Sequence, residues 1–185
     1  MTISVRLPPP APHRLRTLLN DLDRRRRHRG AARAIWRLLP EPESWLDVNT
    51  GDADFPETAR RLFPYTSFDG TDPTPRVAYA RAAERVEEAY VGTLTDPHIA
   101  TAVRGRYDVV SVLDAPASSE EIRTAVTALR PAGLLVMEAP WRPSDETRAY
   151  LKSQGCTLVT PSRPLAERLA KTHLLIARRA PGAPR

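Results

Sequence analysis

The chain is short of cysteine and of long apolar runs. Its 185 residues include a single cysteine, Cys156, which excludes an internal disulfide and any zinc site built from cysteines. No run approaches the roughly 20 apolar residues that cross a bilayer, and the start MTISVRLPPPAP lacks the apolar core of a signal peptide. We therefore expect no membrane partner and a cytoplasmic protein with one main core.

Lysine is also scarce, and the positive charge is unevenly spread. Only Lys152 and Lys171 accompany the arginines, and the formal net charge is +6. Residues 1–40 carry ten arginines against Asp21 and Asp23, so the excess positive charge lies there and the remaining chain is near neutral. A basic tail on a neutral body does not by itself indicate a nucleic-acid-binding fold.

The first 40 residues are predicted to form a basic helical extension. The run LPPPAP at 7–12 is expected to be extended. Two leucine-rich sets with helical spacing follow on either side of Gly30: Leu15, Leu18, Leu19 and Leu22, then Ala31, Ile35, Leu38 and Leu39. They predict two short amphipathic helices, or one long broken helix, against a body formed by residues 41–179, with 180–185 as a loose tail.

The run RRRRHR, residues 24–29, is a compact block of like charge. One interpretation is a solvated helix end. The other is a contact with RNA, DNA or an acidic protein, and the sequence leaves both open.

From Ser44 onward strand-like and helix-like segments alternate, which implies a mostly parallel sheet with helices on both faces. Strands are predicted at 44–48, 66–72, 90–94, 107–113, 134–140, 156–161 and 173–179. Helices are predicted at 55–63, 73–89, from Ser118 to Pro131, at 144–155 and around Leu165 and Leu169. The segment YDVVSVL is the richest in β-branched residues, so it is the predicted central strand.

The stretch LDVNTGDADF, residues 46–55, joins the first strand to a helix, where a glycine-rich turn would hold a nucleotide-like cofactor. A dinucleotide turn, G-x-G-x-x-G, fails at Asn49 and at Asp54, so the sequence disfavours a nicotinamide cofactor. An acid followed by G-x-G-x-G fits better, with Asp47 as the acid and Gly51 as the middle glycine. Asn49 and Ala53 replace the outer two glycines, and asparagine tolerates a left-handed backbone, so we expect the turn to survive.

Four segments together resemble the class I S-adenosylmethionine-dependent methyltransferases. They are LDVNTGDADF, FDGTDPTP, YDVVSVLDAP and ALRPAGLLVMEAP, in the order of that family's motifs. The resemblance runs from about Trp45 to Arg179 and implies a Rossmann-like, doubly wound, seven-stranded sheet with an antiparallel last strand. It also implies S-adenosylmethionine as the cofactor.

The resemblance assigns roles to residues that follow the strands. The residues implied in cofactor binding are Asp47, Asn49, Thr50, Gly51, Asp72, Pro73, Thr93, Leu94, Val112 and Leu113. Among them Asp72 would bind the ribose hydroxyls, although an Asx-turn before Pro73 is its structural alternative. Thr93 and Leu94 would lie at the adenine, and the residues implied at the methyl acceptor are Asp114, Pro140 and Trp141.

No catalytic residue and no metal ligand is assigned. His98, His173, Tyr90 and Asp114 are possible bases for a hydroxyl acceptor. Only WRPSD separates the fifth strand from its helix, so the pocket is expected to be open, capped by the N-terminal helices, or completed by another subunit. We expect a small-molecule methyltransferase; the alternatives are a non-catalytic partner-binding relative and an RNA methyltransferase using Arg24–Arg29.

Overall fold

Seven strands form a single sheet in the computed structural model, which describes residues 12–114, 117–139, 145–159 and 173–182. The strands are β1 Ser44–Val48, β2 Ser67–Asp72, β3 Ala89–Val91, β4 Tyr107–Val112, β5 Leu129–Ala139, β6 Cys156–Val159 and β7 His173–Arg179. The helices are α1 Pro12–Trp36, α2 Asp54–Ala59, α3 Arg76–Ala82, α4 Pro97–Val103, α5 Ser119–Ala128 and α6 Asp145–Ser153.

The strand order is β3-β2-β1-β4-β5-β7-β6. The pairs from β3 to β5 are parallel, and β7 is antiparallel to both β5 and β6. The predicted fold class, with its antiparallel last strand and β4 at the centre, is confirmed. Because the order reverses between β1 and β4, a crevice opens there at the carboxyl ends of the strands, where ligands of such sheets bind.

Alternate side chains of the strands feed two cores, one on each face. On one face Trp45, Val109 and Val136 pack with the buried side of α1 and with Phe55 of α2. On the other face Leu46 and Val110 belong to a cluster that includes Ile99 of α4, Ile122 and Val126 of α5, and Leu151 of α6. This alternation is the period of two expected for strands buried on both faces.

Several predicted helix bounds were wrong. The helix predicted at 55–63 is α2, which ends at Ala59, and the one predicted at 73–89 is α3, which spans only Arg76–Ala82. The helix α4 was not predicted at all; Pro97 occupies its first turn. The helix predicted from Ser118 is α5, and a capping box begins it, since the Ser118 side chain accepts from the Glu121 N–H and the Glu121 side chain accepts from the Ser118 N–H.

The N-terminal segment forms one continuous helix, α1, which passes through Gly30 without a break. The expectation that its leucines lie against the body was wrong for Leu19 and Leu22, which are 64% and 60% exposed. The later half of the helix is buried instead, with Ala32 and Ile35 in the core shared with α2. Small and branched residues in the later turns of α1 therefore pack against the body. The exposed leucines of its earlier turns do not.

Among the described residues, no helix is long and apolar enough to cross a membrane. Cys156 is buried at the start of β6, as predicted, and burial raises the pKa of its thiol. The run LPPPAP at 7–12 lies almost wholly outside the described residues, and the helix predicted around Leu165 and Leu169 lies entirely outside them.

Candidate functional site

The turn after β1 keeps its glycine-like backbone although two of its three glycine positions hold other residues. Asn49, Gly51 and Ala53 have φ angles of 58°, 54° and 61°, all left-handed. Only glycine adopts this conformation without a Cβ penalty, which for other residues is about 1–2 kcal/mol. The turn therefore survives under strain, and its backbone has the form that three glycines would give.

Two hydroxyl groups hold the side chain of Asp47 at the end of β1. Thr50 Oγ1 donates to Asp47 Oδ2 at 2.7 Å, and Ser111 Oγ donates to Asp47 Oδ1 at 2.6 Å. Ser111 lies opposite Asp47 on β4 and itself accepts a hydrogen bond from Trp45 Nε1 at 2.8 Å. A chain of buried hydrogen bonds thus links the two strands that border the crevice.

The Asp47 carboxyl is fully enclosed, which affects its ionisation. Burial raises its pKa to about 6, and the hydrogen bonds from Ser111 and Thr50, which favour the charged form, offset part of that rise. A buried carboxyl with a pKa near neutrality, next to a strand-end crevice, is typical of a functional site as well as of a strained core position.

Asp72, at the end of β2, is joined directly to the turn. Its Oδ2 accepts from the Gly51 N–H at 2.9 Å, and its Oδ1 accepts from the Thr74 N–H at 2.9 Å. The second bond is the Asx-turn that the sequence offered as the structural alternative. The Asx-turn does not prevent Asp72 from binding ribose hydroxyls as well. A carboxylate has about four acceptor positions, and only some of them are used here.

Gly51 has a further reason to lack a side chain. A Cβ placed there would lie 3.2 Å from the guanidinium carbon of Arg76, whose Nε donates to Asp52 Oδ1 at 3.1 Å. The guanidinium therefore lies against the turn from the side of α3. It is half exposed, so it can move when a ligand approaches.

The segment after β3 is organised by Asp96. Its Oδ2 accepts from the Thr93 N–H at 2.8 Å and lies against Gly92. The Asp96 carboxylate is thus folded back to the end of β3. Thr93 is exposed, whereas Leu94 is buried in the core with Ile99.

At the end of the central strand, Val112 and Leu113 are buried and Asp114 is exposed. Asp114 has a φ of 62° and, like Asn49 and Ala53, holds a left-handed backbone without being glycine. Its carboxylate meets two residues of α1: His28 Nε2 lies 2.8 Å from Oδ2 and Arg27 Nη2 lies 3.4 Å from Oδ1. Arg27 also reaches Glu138 of β5, with Nε 2.8 Å from Oε1.

The interpretation of residues 24–29 as a solvated block is therefore wrong for half of its members. Arg24 pairs with Asp54 at 2.6 Å, Arg27 bridges Asp114 and Glu138, and His28 is 2% exposed. Arg25, Arg26 and Arg29 are exposed, in keeping with the solvated interpretation. The inward face of α1 continues from Ile35 back through His28 and Arg24, so the helix lies over the carboxyl ends of β4 and β5.

The sequence did not single out His28. The available signal was its position seven residues before Ile35 and four before Ala32, which places it on the buried stripe. Of the four candidate bases, Asp114 lies at the strand-end crevice, whereas His98 is exposed on α4 and the Tyr90 hydroxyl accepts from Arg106 at 3.0 Å. Pro140, Trp141 and the side chain of His173 lie outside the described residues.

No protein-family model matches the chain, and no curated protein matches its sequence. Solved structures do match. An O-methyltransferase family protein from Burkholderia thailandensis aligns over 76% of this chain with a TM-score of 0.58 and 17% identity. The chain spans 52% of that protein's length.

Two further structures match along nearly their whole length. The protein bound by the Haloferax volcanii Trm112 methyltransferase activator aligns with a TM-score of 0.64 and 18% identity, over 88% of this chain and 94% of that one. The 1,6-didemethyltoxoflavin-N1-methyltransferase of Burkholderia thailandensis, solved with S-adenosylhomocysteine, aligns with a TM-score of 0.60 and 16% identity. The alignment covers 95% of this chain and 93% of that one.

The chain has the class I methyltransferase fold. Strand order, the antiparallel β7 and these neighbours agree on that point. Asp47, Asp72 and Asp114 lie at the carboxyl ends of β1, β2 and β4, the edge at which ligands of open α/β sheets bind.

Proposed function

We propose that this protein binds S-adenosylmethionine in the crevice at the ends of β1, β2 and β4 and transfers its methyl group to a small molecule. The observation that carries the proposal is the turn after β1. Its three left-handed positions, at 49, 51 and 53, are kept although only one of them is glycine. Strained backbone of this kind clusters at active sites and ligand-binding turns.

Charge placement at the crevice supports the same cofactor. Asp47 and Asp72 lie at the ends of adjacent strands, and Asp72 is bonded to the backbone of the turn. In the proposed complex Asp72 accepts from the ribose hydroxyls, and the turn from Asn49 to Gly51 approaches the cofactor with its backbone. The toxoflavin N1-methyltransferase, which is similar in fold, was solved with S-adenosylhomocysteine bound, and this supports the choice of cofactor.

In the proposed complex the adenine lies near the segment after β3, beside Pro73, Thr93 and Leu94. Val112 and Leu113 border the methyl-bearing end, and Asp114 with Pro140 and Trp141 borders the acceptor. The acceptor is proposed to be small because α1 lies over the ends of β4 and β5 and is tied to them by Arg27 and His28.

The test is methyl transfer by the purified full chain. The protein is incubated with S-adenosylmethionine labelled in its methyl group and with a fractionated extract of small molecules, then with RNA and protein fractions separately. Label should appear in the small-molecule fraction and should be suppressed by S-adenosylhomocysteine. Label confined to RNA would favour the alternative of an RNA methyltransferase that uses Arg24–Arg29. Cofactor binding without any methyl transfer would favour a partner-binding role.

Partner binding is the second candidate, because α1 exposes an apolar strip. Leu19 and Leu22 are more than half exposed on the helix that also carries the exposed Arg25 and Arg26. Exposed apolar side chains that lie together are typical of surfaces that bind another protein. The RNA alternative is less favoured, since Arg24 and Arg27 are already paired with carboxylates.

A further inference from the structure

His28 of α1 is buried beside the end of the central strand, β4, and makes none of the proposed cofactor contacts. His28 is 2% exposed; its Nε2 lies 2.8 Å from Asp114 Oδ2, and its ring packs edge-on against Phe55. Its other nitrogen, Nδ1, is shielded from solvent and has no hydrogen-bond partner within the described part of the chain. Buried polar atoms without a partner are uncommon and call for a reason.

The contact with Asp114 fixes where the histidine proton lies. A carboxylate only accepts, so Nε2 carries the proton and donates it. A neutral ring then leaves Nδ1 as a bare lone pair, which avoids burying a second N–H without an acceptor. In this state His28 orients Asp114 and leaves its negative charge in place.

We propose that Asp114 accepts the proton that the methyl acceptor loses, and that His28 is the positioning residue that holds the Asp114 carboxylate for this task. The inference rests on the proposed function and adds the class of acceptor to it. The acceptor is a protic nucleophile, whose attacking oxygen or nitrogen bears a hydrogen.

The geometry around Asp114 supports this assignment. Asp114 directly follows Leu113, and its side chain is 33% exposed, so a ligand in the crevice can reach it. His28 engages Oδ2, while Oδ1 has only a long contact of 3.4 Å with Arg27. One oxygen is therefore held and the other keeps lone pairs for an acceptor hydrogen.

The reaction step balances with these groups alone. The lone pair of the acceptor atom bonds to the methyl carbon, the carbon–sulfur bond breaks, and its electron pair stays on sulfur. The attacked O–H or N–H becomes cationic, and its proton passes to Asp114 Oδ1. The products are the methylated acceptor, the neutral thioether and a protonated Asp114, which returns its proton to water.

A weak base suffices for this step. Burial would raise the pKa of Asp114, but the hydrogen bonds from His28 and Arg27, with the charge of Arg27, lower it below its ordinary value. The carboxylate therefore stays ionised at neutral pH, and it takes the proton once attack has made the acceptor strongly acidic. The titratable groups that face Asp114 are Arg27 and His28 from α1, Glu138 of β5 through Arg27, and Asp47 of β1.

The experiment compares two substitutions of His28 that differ in which ring nitrogen they imitate. The amide nitrogen of glutamine reaches the Nε2 position, whereas that of asparagine reaches only the Nδ1 position. Labelled methyl transfer by the full chain is measured with benzylamine and catechol, which are protic, and with N,N-dimethylbenzylamine, which has no proton to lose. Arg26→Gln, exposed on the same helix, is the matched control.

Asp114→Asn should lower the ratio of protic to aprotic transfer by about 100-fold, as expected for loss of a proton acceptor. His28→Asn should lower the same ratio by about tenfold through loss of a bond to a charged group, and His28→Gln should restore most of it. Histidine ¹⁵N spectra, assigned with the His28 variants, should show Nε2 protonated and Nδ1 bare.

Three results would overturn the proposal: an unchanged ratio in Asp114→Asn, equal losses in His28→Gln and His28→Asn, or a protonated Nδ1 with a bare Nε2. Failure to methylate any of the probes while S-adenosylhomocysteine binds would overturn it as well. If the wild type does not bind S-adenosylhomocysteine, the proposed function itself is wrong. The histidine spectra would still test the hydrogen bond between His28 and Asp114.

Discussion

At the scale of single residues, the strained turn after β1 makes a direct prediction about stability. Ala53 has a φ of 61° and is fully buried, so its Cβ costs about 1–2 kcal/mol in this conformation. Ala53→Gly should raise the free energy of unfolding by about 0.5–1 kcal/mol, because the relief of strain exceeds the extra chain entropy of glycine. Urea denaturation measures the change.

The matched control for that substitution is Ala59→Gly. Ala59 is equally buried but helical, at the end of α2. Glycine should therefore cost about 1 kcal/mol there. If both substitutions destabilise the protein alike, the left-handed backbone at Ala53 imposes no strain.

Asp47 predicts a pH dependence. Its folded pKa of about 6 exceeds the unfolded value of about 3.9, so the charged carboxylate is disfavoured by folding. Below about pH 4 Asp47 is protonated in the folded protein and does not lower the free energy of unfolding. As the pH rises through about 6, the free energy of unfolding falls by about 3 kcal/mol in all. From pH 4 to 7 the unfolding free energy of the wild type should fall by about 2 kcal/mol relative to that of Asp47→Asn.

Because other carboxylates titrate in the same range, the comparison between the two proteins is the informative quantity. Parallel pH profiles for wild type and Asp47→Asn would show that water or the hydroxyls of Thr50 and Ser111 already satisfy the charge.

At the scale of elements, α1 contains two classes of arginine that can be separated. Arg24 and Arg27 reach carboxylates of the body, and Glu138, a partner of Arg27, is only 13% exposed. Replacing both with Ser should lower the free energy of unfolding by about 1–2 kcal/mol, because half-buried charges lose their partners. Replacing Arg25 and Arg26 with Ser should change it by about 0.5 kcal/mol at most.

Thermal unfolding of the two double variants, at one pH and salt concentration, decides between them. Equal midpoints would mean that the pairs of Arg24 and Arg27 contribute nothing in solution. High salt should narrow any difference between the variants, since the pair of Arg24 is partly exposed and is screened.

The elements that the sequence predicted well are those with a strong local signal. β1, β4 and β7 are short β-branched or apolar runs with clear bounds, and the capping residues Ser118 and Glu121 fixed the start of α5. α4 was missed because seven residues with two buried side chains, Ile99 and Val103, leave too little periodicity to detect. α3 was overextended because Glu84 adopts a left-handed backbone that no local residue preference indicated.

The candidate site was predictable only where it follows strand ends. Asp47, Gly51, Asp72 and Asp114 were placed at strand ends by the predicted strands together with the family resemblance. His28 could not, because its role depends on where α1 docks, and the leucine stripe pointed to the wrong face. The position of Asp96 was not predicted either, because its hydrogen bond back to Thr93 depends on the conformation of the loop.

At the scale of the whole molecule, α1 and the sheet share one crevice. The helix brings Arg27 and His28 over the ends of β4 and β5, and the turn after β1 supplies backbone groups from the opposite side. The N-terminal helix therefore covers the carboxyl ends of β4 and β5.

The most direct measurement is calorimetric titration of the full chain with S-adenosylhomocysteine, with Asp72→Ala and Thr74→Val titrated alongside. The wild type should bind saturably with one site, and Asp72→Ala should weaken binding by about 1–3 kcal/mol through loss of a charged hydrogen-bond acceptor. Thr74→Val removes the hydroxyl that donates to Asp72 Oδ1 but keeps the carboxylate and its bond from the Thr74 N–H, so it should bind nearly as the wild type does. No saturable heat from the folded wild type at millimolar ligand would contradict cofactor binding in the crevice and, with it, the proposed methyltransferase function.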